Sequence, residues 1–192
     1  MSSPESGQTV NTDQHFGATV ARLDQWADDQ LEKLRGNPIA DALFTTASHV
    51  GDFSVLWHII GIARGVTNQQ RARQTLVLSS VLGVESLIVN QGVKRLFRRV
   101  RPTVAGDDRF DVRQPSTSSF PSGHASSAFT AATLLVAWDG RRTAPMWFGL
   151  ACIVGLSRAY VRIHHVSDVV GGALLGLTLG AIAKRVVRKI LG

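Results

Sequence analysis

Cysteine is nearly absent from this chain. Of 192 residues only Cys152 is one, and it sits in an apolar run, so no internal disulfide can form. Acidic side chains are also short in number, 14 Asp and Glu against 21 Lys and Arg, which leaves a net charge of +7. Such a balance suits nucleic acid, an anionic membrane surface or a phosphorylated substrate. Nucleic acid fits worst. The basic residues fall in short clusters between apolar segments, and no helix-turn-helix, zinc or RNA-binding signature is present. No His, Cys and carboxylate cluster has metal-ligand spacing, so no metal and no cofactor is expected. The first 36 residues are polar and lack an apolar core, so no signal peptide is expected. Mean hydropathy is only +0.08, because this polar start and the polar loops dilute several strongly apolar segments.

Those segments organise the rest. Residues 1 to about 14 have the composition of disordered chain. From Phe16 to Leu34 apolar residues recur at helical period, as Phe16, Val20, Leu23, Trp26, Leu31 and Leu34. The pattern predicts an amphipathic helix that lies on a membrane, packs against the bundle or simply presents a solvated face. Asn37-Pro38 opens a new segment. Ile39 to Val50 is apolar but short of the ~20 residues that a span needs, and Gly51-Asp52 breaks it. Phe53 to Val66 follows, and a span can borrow residues from both sides of Gly51. Four clearer spans come next: Thr75 to Val93, Ala125 to Trp138, Ala144 to Tyr160 and Val166 to Ala183. The expected fold is all-α, an integral-membrane bundle of five to six transmembrane helices with an amphipathic N-terminal helix. Its expected division is a polar segment over residues 1–36 and a membrane-embedded domain over 37–192.

Polar residues inside the spans are informative. Glu85 and Asn90 should face the bundle interior, and Asn90 stands one turn before Lys94, where it can orient that lysine. Gly172, Gly176 and Gly180 recur every four residues, a spacing that lets helices approach closely, within one monomer or across a dimer.

Three stretches carry chemistry. Lys94 is followed, after six residues, by Arg101-Pro102. Next comes Pro121-Ser122-Gly123-His124. Last are Ser157-Arg158 and, further on, His164, His165 and Asp168. If the chain is helical there, His164 and Asp168 share one face, and a carboxylate on one imidazole nitrogen makes the other a better nucleophile or base. Arginine offers a planar fork of donors that matches phosphate oxygens. A helix starting at Gly123 aims its positive end, and free N–H groups, at an anion.

In this order and spacing, the three motifs resemble the type 2 phosphatidic acid phosphatase superfamily, which also contains vanadium haloperoxidases. The resemblance covers residues 94 to 168. It implies a phosphatase in which His164 attacks phosphorus and becomes a phosphohistidine, while Asp168 holds its other nitrogen. His124 then protonates the leaving oxygen and later activates water. Lys94, Arg101, Ser122, Gly123 and Arg158 bind the phosphate. The implied partners are a lipid phosphate substrate and membrane lipids, with no nucleic acid. The candidate substrates are polyprenyl diphosphate, phosphatidylglycerol phosphate and phosphatidic acid. Two other readings stand beside it: a vanadate-dependent haloperoxidase-like protein, and a non-enzymatic membrane protein.

Residues outside the motif positions are read more plainly. His165 lacks the spacing to an aspartate and is non-catalytic, and His15, His49 and His58 have no sequence partners. Arg95, Arg98 and Arg99 bind lipid headgroups or face water. Arg162, where many members have glycine, adds a contact for a diphosphate or points to solvent. The loop from Thr103 to Thr117 is polar and placed to gate the site. Charge does not decide orientation, since nine Lys and Arg fall on each side of the expected bundle. Family resemblance implies a multi-pass protein of the plasma membrane, with the site facing the exterior and the C-terminus in the cytoplasm.

Overall fold

The computed structural model describes residues 16–102, 109–112 and 117–191. Seven α-helices and no strand occur among them: α1 (Gly17–Glu32), α2 (Pro38–Gly51), α3 (Val55–Gly65), α4 (Gln69–Leu87), α5 (Gly123–Asp139), α6 (Ala144–Tyr160) and α7 (Val166–Leu191). The all-α expectation holds. Two helical stretches, Gln69–Leu96 and Val166–Lys189, are long and apolar enough to cross a membrane.

Caps explain where the helices start. The Asn37 side chain accepts from the N–H groups of Ile39 and Ala40, with Pro38 in the first turn, where its missing N–H costs nothing. Asn68 caps α4 by accepting from the Arg71 N–H. That cap starts α4 at Gln69, before the apolar run at Thr75 that marks it in the sequence. Helix α7 likewise continues past Ala183 through the basic tail to Leu191. Between α2 and α3, Phe53 and Ser54 both adopt left-handed backbone, φ 52° and 60°. The break at Gly51-Asp52 is therefore a sharp one, and α2 and α3 are separate helices.

Helix α5 is the centre, packed against α7, α6 and α4. Its residues Ala128, Ala131, Ala132, Leu134 and Leu135 join Trp57, Leu78, Leu82 and Val154 in the core. Against α7 the approach is close. A Cβ at Gly172 would lie 2.3 Å from the Ser122 carbonyl oxygen, and one at Gly176 would lie 2.2 Å from that of Ser126. The glycine stripe thus packs within the monomer. Gly172→Ala is expected to destabilise the fold by at least ~1–3 kcal/mol, the usual range for overpacking. Thermal unfolding in detergent measures this, and an unchanged melting temperature would mean that α5 and α7 separate without cost.

Helix α1 packs against α6 and α7, one of the placements that its pattern allows. Its polar residues divide, with Arg22, Gln25 and Asp29 exposed and Asp24 turned inward. Asp24 is 6% exposed, whereas Leu23 and Trp26 are 60% and 63% exposed. Two of its carboxylates, Asp24 and Asp28, turn inward onto three arginines. Asp28 pairs with Arg35 at 2.6 Å and with Arg162 at 2.8 Å. Asp24 pairs with Arg99 at 2.6 Å. Burial alone would raise the Asp28 carboxyl, but the bonds from Arg162 and Arg35 prevail and hold it below the usual range. Arg35 also donates to the carbonyls of Tyr160 and Ala159 at the end of α6.

Candidate active site

The geometry of α4 changes just where its chemistry begins. The helix widens to a π-turn over Ile88–Gly92 and then tightens to a 3₁₀ turn over Val93–Leu96. Such irregular turns re-aim side chains, and they recur at functional sites. Here they carry Asn90 and Lys94. A Cβ at Gly123 would lie 3.7 Å from Asn90 Oδ1 and 3.9 Å from Lys94 Nζ, so both atoms face the first residue of α5. The Asn90 amide donates to Ser86 Oγ. Glu85, one turn earlier, is buried as the sequence implied.

Lys94, Arg101, Gly123, His124, Arg158 and His164 line one cavity of about 1240 Å³. Ser122 and Asp168 stand behind its wall, fully buried. Ser122 is the N-cap of α5. Its hydroxyl oxygen accepts from the Ala125 N–H, which leaves its own proton free to donate. Its backbone N–H donates to the Asp168 carbonyl, tying the start of α5 to α7. Arg101 holds the floor together. It donates to the carbonyls of Ile163, Thr117 and Ser118, and its Nη1 lies 3.2 Å from His164 Nε2. Burial lowers this guanidinium to about 10, still cationic near neutral pH. Arg158 donates to Ser48 Oγ on α2. Nε of Arg101 and Nε of Arg158 are both buried with no hydrogen-bond partner among the described residues. Buried donors of this kind call for an acceptor, and an anion between the two guanidinium groups would supply it.

His164 is not on a helix, contrary to the helical reading of the third motif. It ends a turn after α6, in which the N–H groups of Ile163 and His164 both donate to the Arg158 carbonyl. Asp168 still reaches it. Asp168 Oδ2 lies 3.5 Å from His164 Nδ1 and accepts the His165 N–H at 2.9 Å. The second contact is the return half of a capping box, a carboxylate three residues into the helix accepting from the residue before it. Burial pushes the His164 imidazole down to about 3, so the ring is neutral and Nε2 carries a lone pair into the cavity. His165 contributes its backbone here, in keeping with a non-catalytic role.

Sequence reading missed three carboxylate and arginine contacts. Asp52 Oδ1 lies 2.9 Å from His124 Nε2 and 3.8 Å from Arg158 Nη1. Only a glycine beside it permits this, since a Cβ at Gly51 would lie 2.8 Å from His124 Cδ2. In sequence the Gly-Asp pair signals only a helix break. Arg99 neither faces water nor meets lipid. It is buried, and Nη1 donates to Asp168 Oδ1 at 2.6 Å. No sequence signal separates it from Arg95 and Arg98, which are exposed. Arg162 has φ 57° and pairs with Asp28, so it does not point to solvent. Glycine adopts such a left-handed backbone freely, which fits the glycine that the family resemblance implies at this position. Of the remaining histidines, His58 Nδ1 is 3.0 Å from Ser79 Oγ and His49 is exposed, while His15 lies outside the described residues. The described part of the 103–117 loop packs on α1 and α6: Arg109 bonds Glu32 at 2.8 Å, and Phe110 meets the Tyr160 ring. Most of the loop expected to gate the site lies outside the described residues.

Known proteins are similar to this chain in sequence and fold. The chain is 38% identical over 140 residues to the decaprenylphosphoryl-5-phosphoribose phosphatase of Mycobacterium tuberculosis, covering 72% of this chain and 76% of that one. It is 31% identical over 180 residues to phosphatidylglycerophosphatase B of Bacillus subtilis, covering 86% of each. Among solved structures, the transmembrane PAP2 type phosphatidylglycerolphosphate phosphatase from Bacillus subtilis superposes with a TM-score of 0.71 at 27% identity, over 91% of this chain and 89% of that one. The model of the PAP2 superfamily matches residues 74–191. That span runs from α4 to the end of α7 and holds all three motifs, so this chain belongs to the PAP2 superfamily and is a phosphatase.

Proposed function

We propose that the protein is a multi-pass membrane phosphatase that removes phosphate from a lipid phosphate monoester or diphosphate through a phosphohistidine. The observation that carries this is the pair of buried, unpartnered guanidinium nitrogens, Arg101 Nε and Arg158 Nε, in the cavity that His164 and His124 share. A phosphate dianion between them satisfies both, with Lys94, the Ser122 hydroxyl and the Gly123 N–H completing the cradle. His164 Nε2 then attacks phosphorus, and Asp168 stabilises the positive charge that grows at Nδ1. As the bond to the leaving oxygen breaks, His124 delivers a proton to that oxygen. In the second step His124 takes a proton from water as the water attacks phosphorus, and inorganic phosphate leaves with His164 restored.

The substrate is a phosphate on a long-chain lipid, of the kind named in the relatives: a decaprenyl-linked phosphoribose phosphate, a polyprenyl diphosphate or phosphatidylglycerol phosphate. Residues 37–192 form the catalytic, membrane-embedded part with five to six spans. Residues 1–36 form a polar segment whose helix α1 lies at the membrane surface, with Leu23 and Trp26 toward lipid. Phosphate release by purified protein in detergent, across a panel of these lipid phosphates and diphosphates, tests the reading. Failure on every one would remove it.

Two further outcomes follow. Activity survives EDTA, because Lys94, Arg101 and Arg158 supply the charge that a metal would, and vanadate inhibits by occupying the five-coordinate geometry of the transition state. Loss of activity in EDTA that magnesium restores would contradict this. The site faces the exterior of the plasma membrane and the C-terminus the cytoplasm. Asp111→Cys, in a Cys152→Ser background, should therefore react with an impermeant thiol reagent on intact cells. Labelling only after lysis would reverse the topology.

A further inference from the structure

We infer that Asp24, on α1, is a positioning residue for the reaction: through Arg99 it preserves the negative charge that Asp168 presents to His164. This rests on the assignment of His164 as nucleophile and adds to it a residue that lies outside the segment matched by the family, 74–191.

The two oxygens of Asp168 have different duties. Oδ2 faces His164 Nδ1 and the His165 N–H. Oδ1 accepts from Arg99 Nη1 at 2.6 Å. Both partners are buried, Arg99 at 5% exposure and Asp168 at 0%, so little water screens the pair. Taken alone, a guanidinium in this place would fix the carboxylate and also cancel its field at the imidazole. Asp24 removes the second effect. Arg99 Nη2 donates to Asp24 Oδ2 at 2.6 Å. Ser167 closes the ring: its N–H and its hydroxyl donate to Asp24 at 2.8 and 2.7 Å, and its oxygen accepts from Arg99 Nη1. The ring of Phe16 covers the guanidinium, 4.3 Å from its centroid. Asp24, Arg99 and Asp168 together carry one net negative charge. Asp168 is therefore held in place by Arg99 without being neutralised by it, and it can stabilise the cation that His164 becomes when Nε2 bonds to phosphorus.

Helix α1 has docking contacts besides those of Asp24. Asp28 and Glu32 pair with Arg35, which is anchored to the carbonyls of α6, and Asp28 also pairs with Arg162. A structural and an electrostatic role can thus be told apart with the whole protein in detergent. Wild-type activity on p-nitrophenyl phosphate, lost in His164→Ala, establishes the underlying reading first; without it the failure belongs to that reading. Asp24→Asn should then lower kcat about tenfold or more on p-nitrophenyl phosphate and on lipid phosphate alike, with KM within about twofold, as expected for a coupled charge network. Asp29→Asn, exposed on the same helix, should match wild type. The deciding comparison uses Arg99→Gln as background. With the guanidinium gone, Asp24 has nothing to offset, so the double variant Asp24→Asn/Arg99→Gln should be as active as Arg99→Gln alone. A further tenfold loss in the double variant would overturn the inference. So would an unchanged kcat in Asp24→Asn, or an Asp24→Asn protein that no longer folds, since either makes Asp24 a docking contact.

Discussion

His164→Ala should end turnover of lipid phosphate and p-nitrophenyl phosphate alike. The covalent step needs a nucleophile whatever leaves, and the adjacent His165 does not line the cavity. Burial keeps the His164 ring neutral, so Nε2 is ready to attack without first losing a proton. Removing the ring therefore removes the reaction path, not a fraction of its rate. The check is phosphate release on both substrates, with circular dichroism to show that the variant is folded. Residual turnover within tenfold of wild type on either substrate would mean that phosphorus is attacked by another group, water included.

His124→Ala should behave differently. A general acid matters only when the departing oxygen is a poor leaving group. A lipid alkoxide is poor, so loss of His124 should cost on the order of 10²–10⁴ on lipid phosphate. p-Nitrophenolate leaves unaided, so the first step should survive and appear as a burst of p-nitrophenolate. Slow water activation then traps the phosphoenzyme. A diphosphate, whose leaving group is itself a phosphate, should fall between. Asp52 extends the test. Its carboxylate lies on His124 Nε2 and orients the ring. Asp52→Asn should show the same dependence on leaving group in weaker form. Equal losses on both substrates with no burst would assign His124 to pocket shape alone.

The site was legible in the sequence because three short motifs bring their residue types in fixed order, and the structure gathers Lys94, Arg101, His124, Arg158 and His164 around one cavity. The helices were legible as apolar runs, with Asn37-Pro38 opening α2 and Gly123 opening α5, whereas the Asn68 cap went unread and α4 starts before its apolar run. What the pattern left open is the facing of α1. Helical periodicity tells which residues share a side, and the habit of placing the polar side in water assumes that the outside is water. Here the inside is charged, because Arg35, Arg99 and Arg162 stand there, and Leu23 and Trp26 are left outward. Asp52 escaped for another reason. Its meeting with His124 depends on how closely α2 approaches α5, which one glycine allows and no local pattern announces.

The turn that carries His164 has a consequence for how this enzyme responds to its medium. Arg162 holds a left-handed conformation that an L-residue resists by roughly 1–2 kcal/mol. Its hydrogen bond to Asp28, 134 positions away in the chain, offsets that resistance. A glycine there would need no such help. The geometry of the turn is therefore borrowed from a distant segment through half-exposed charges, and ions in solution compete for them. Turnover should weaken with rising ionic strength even on a neutral-headed lipid carrier, whereas Arg162→Gly, free of the strain, should be less sensitive to salt.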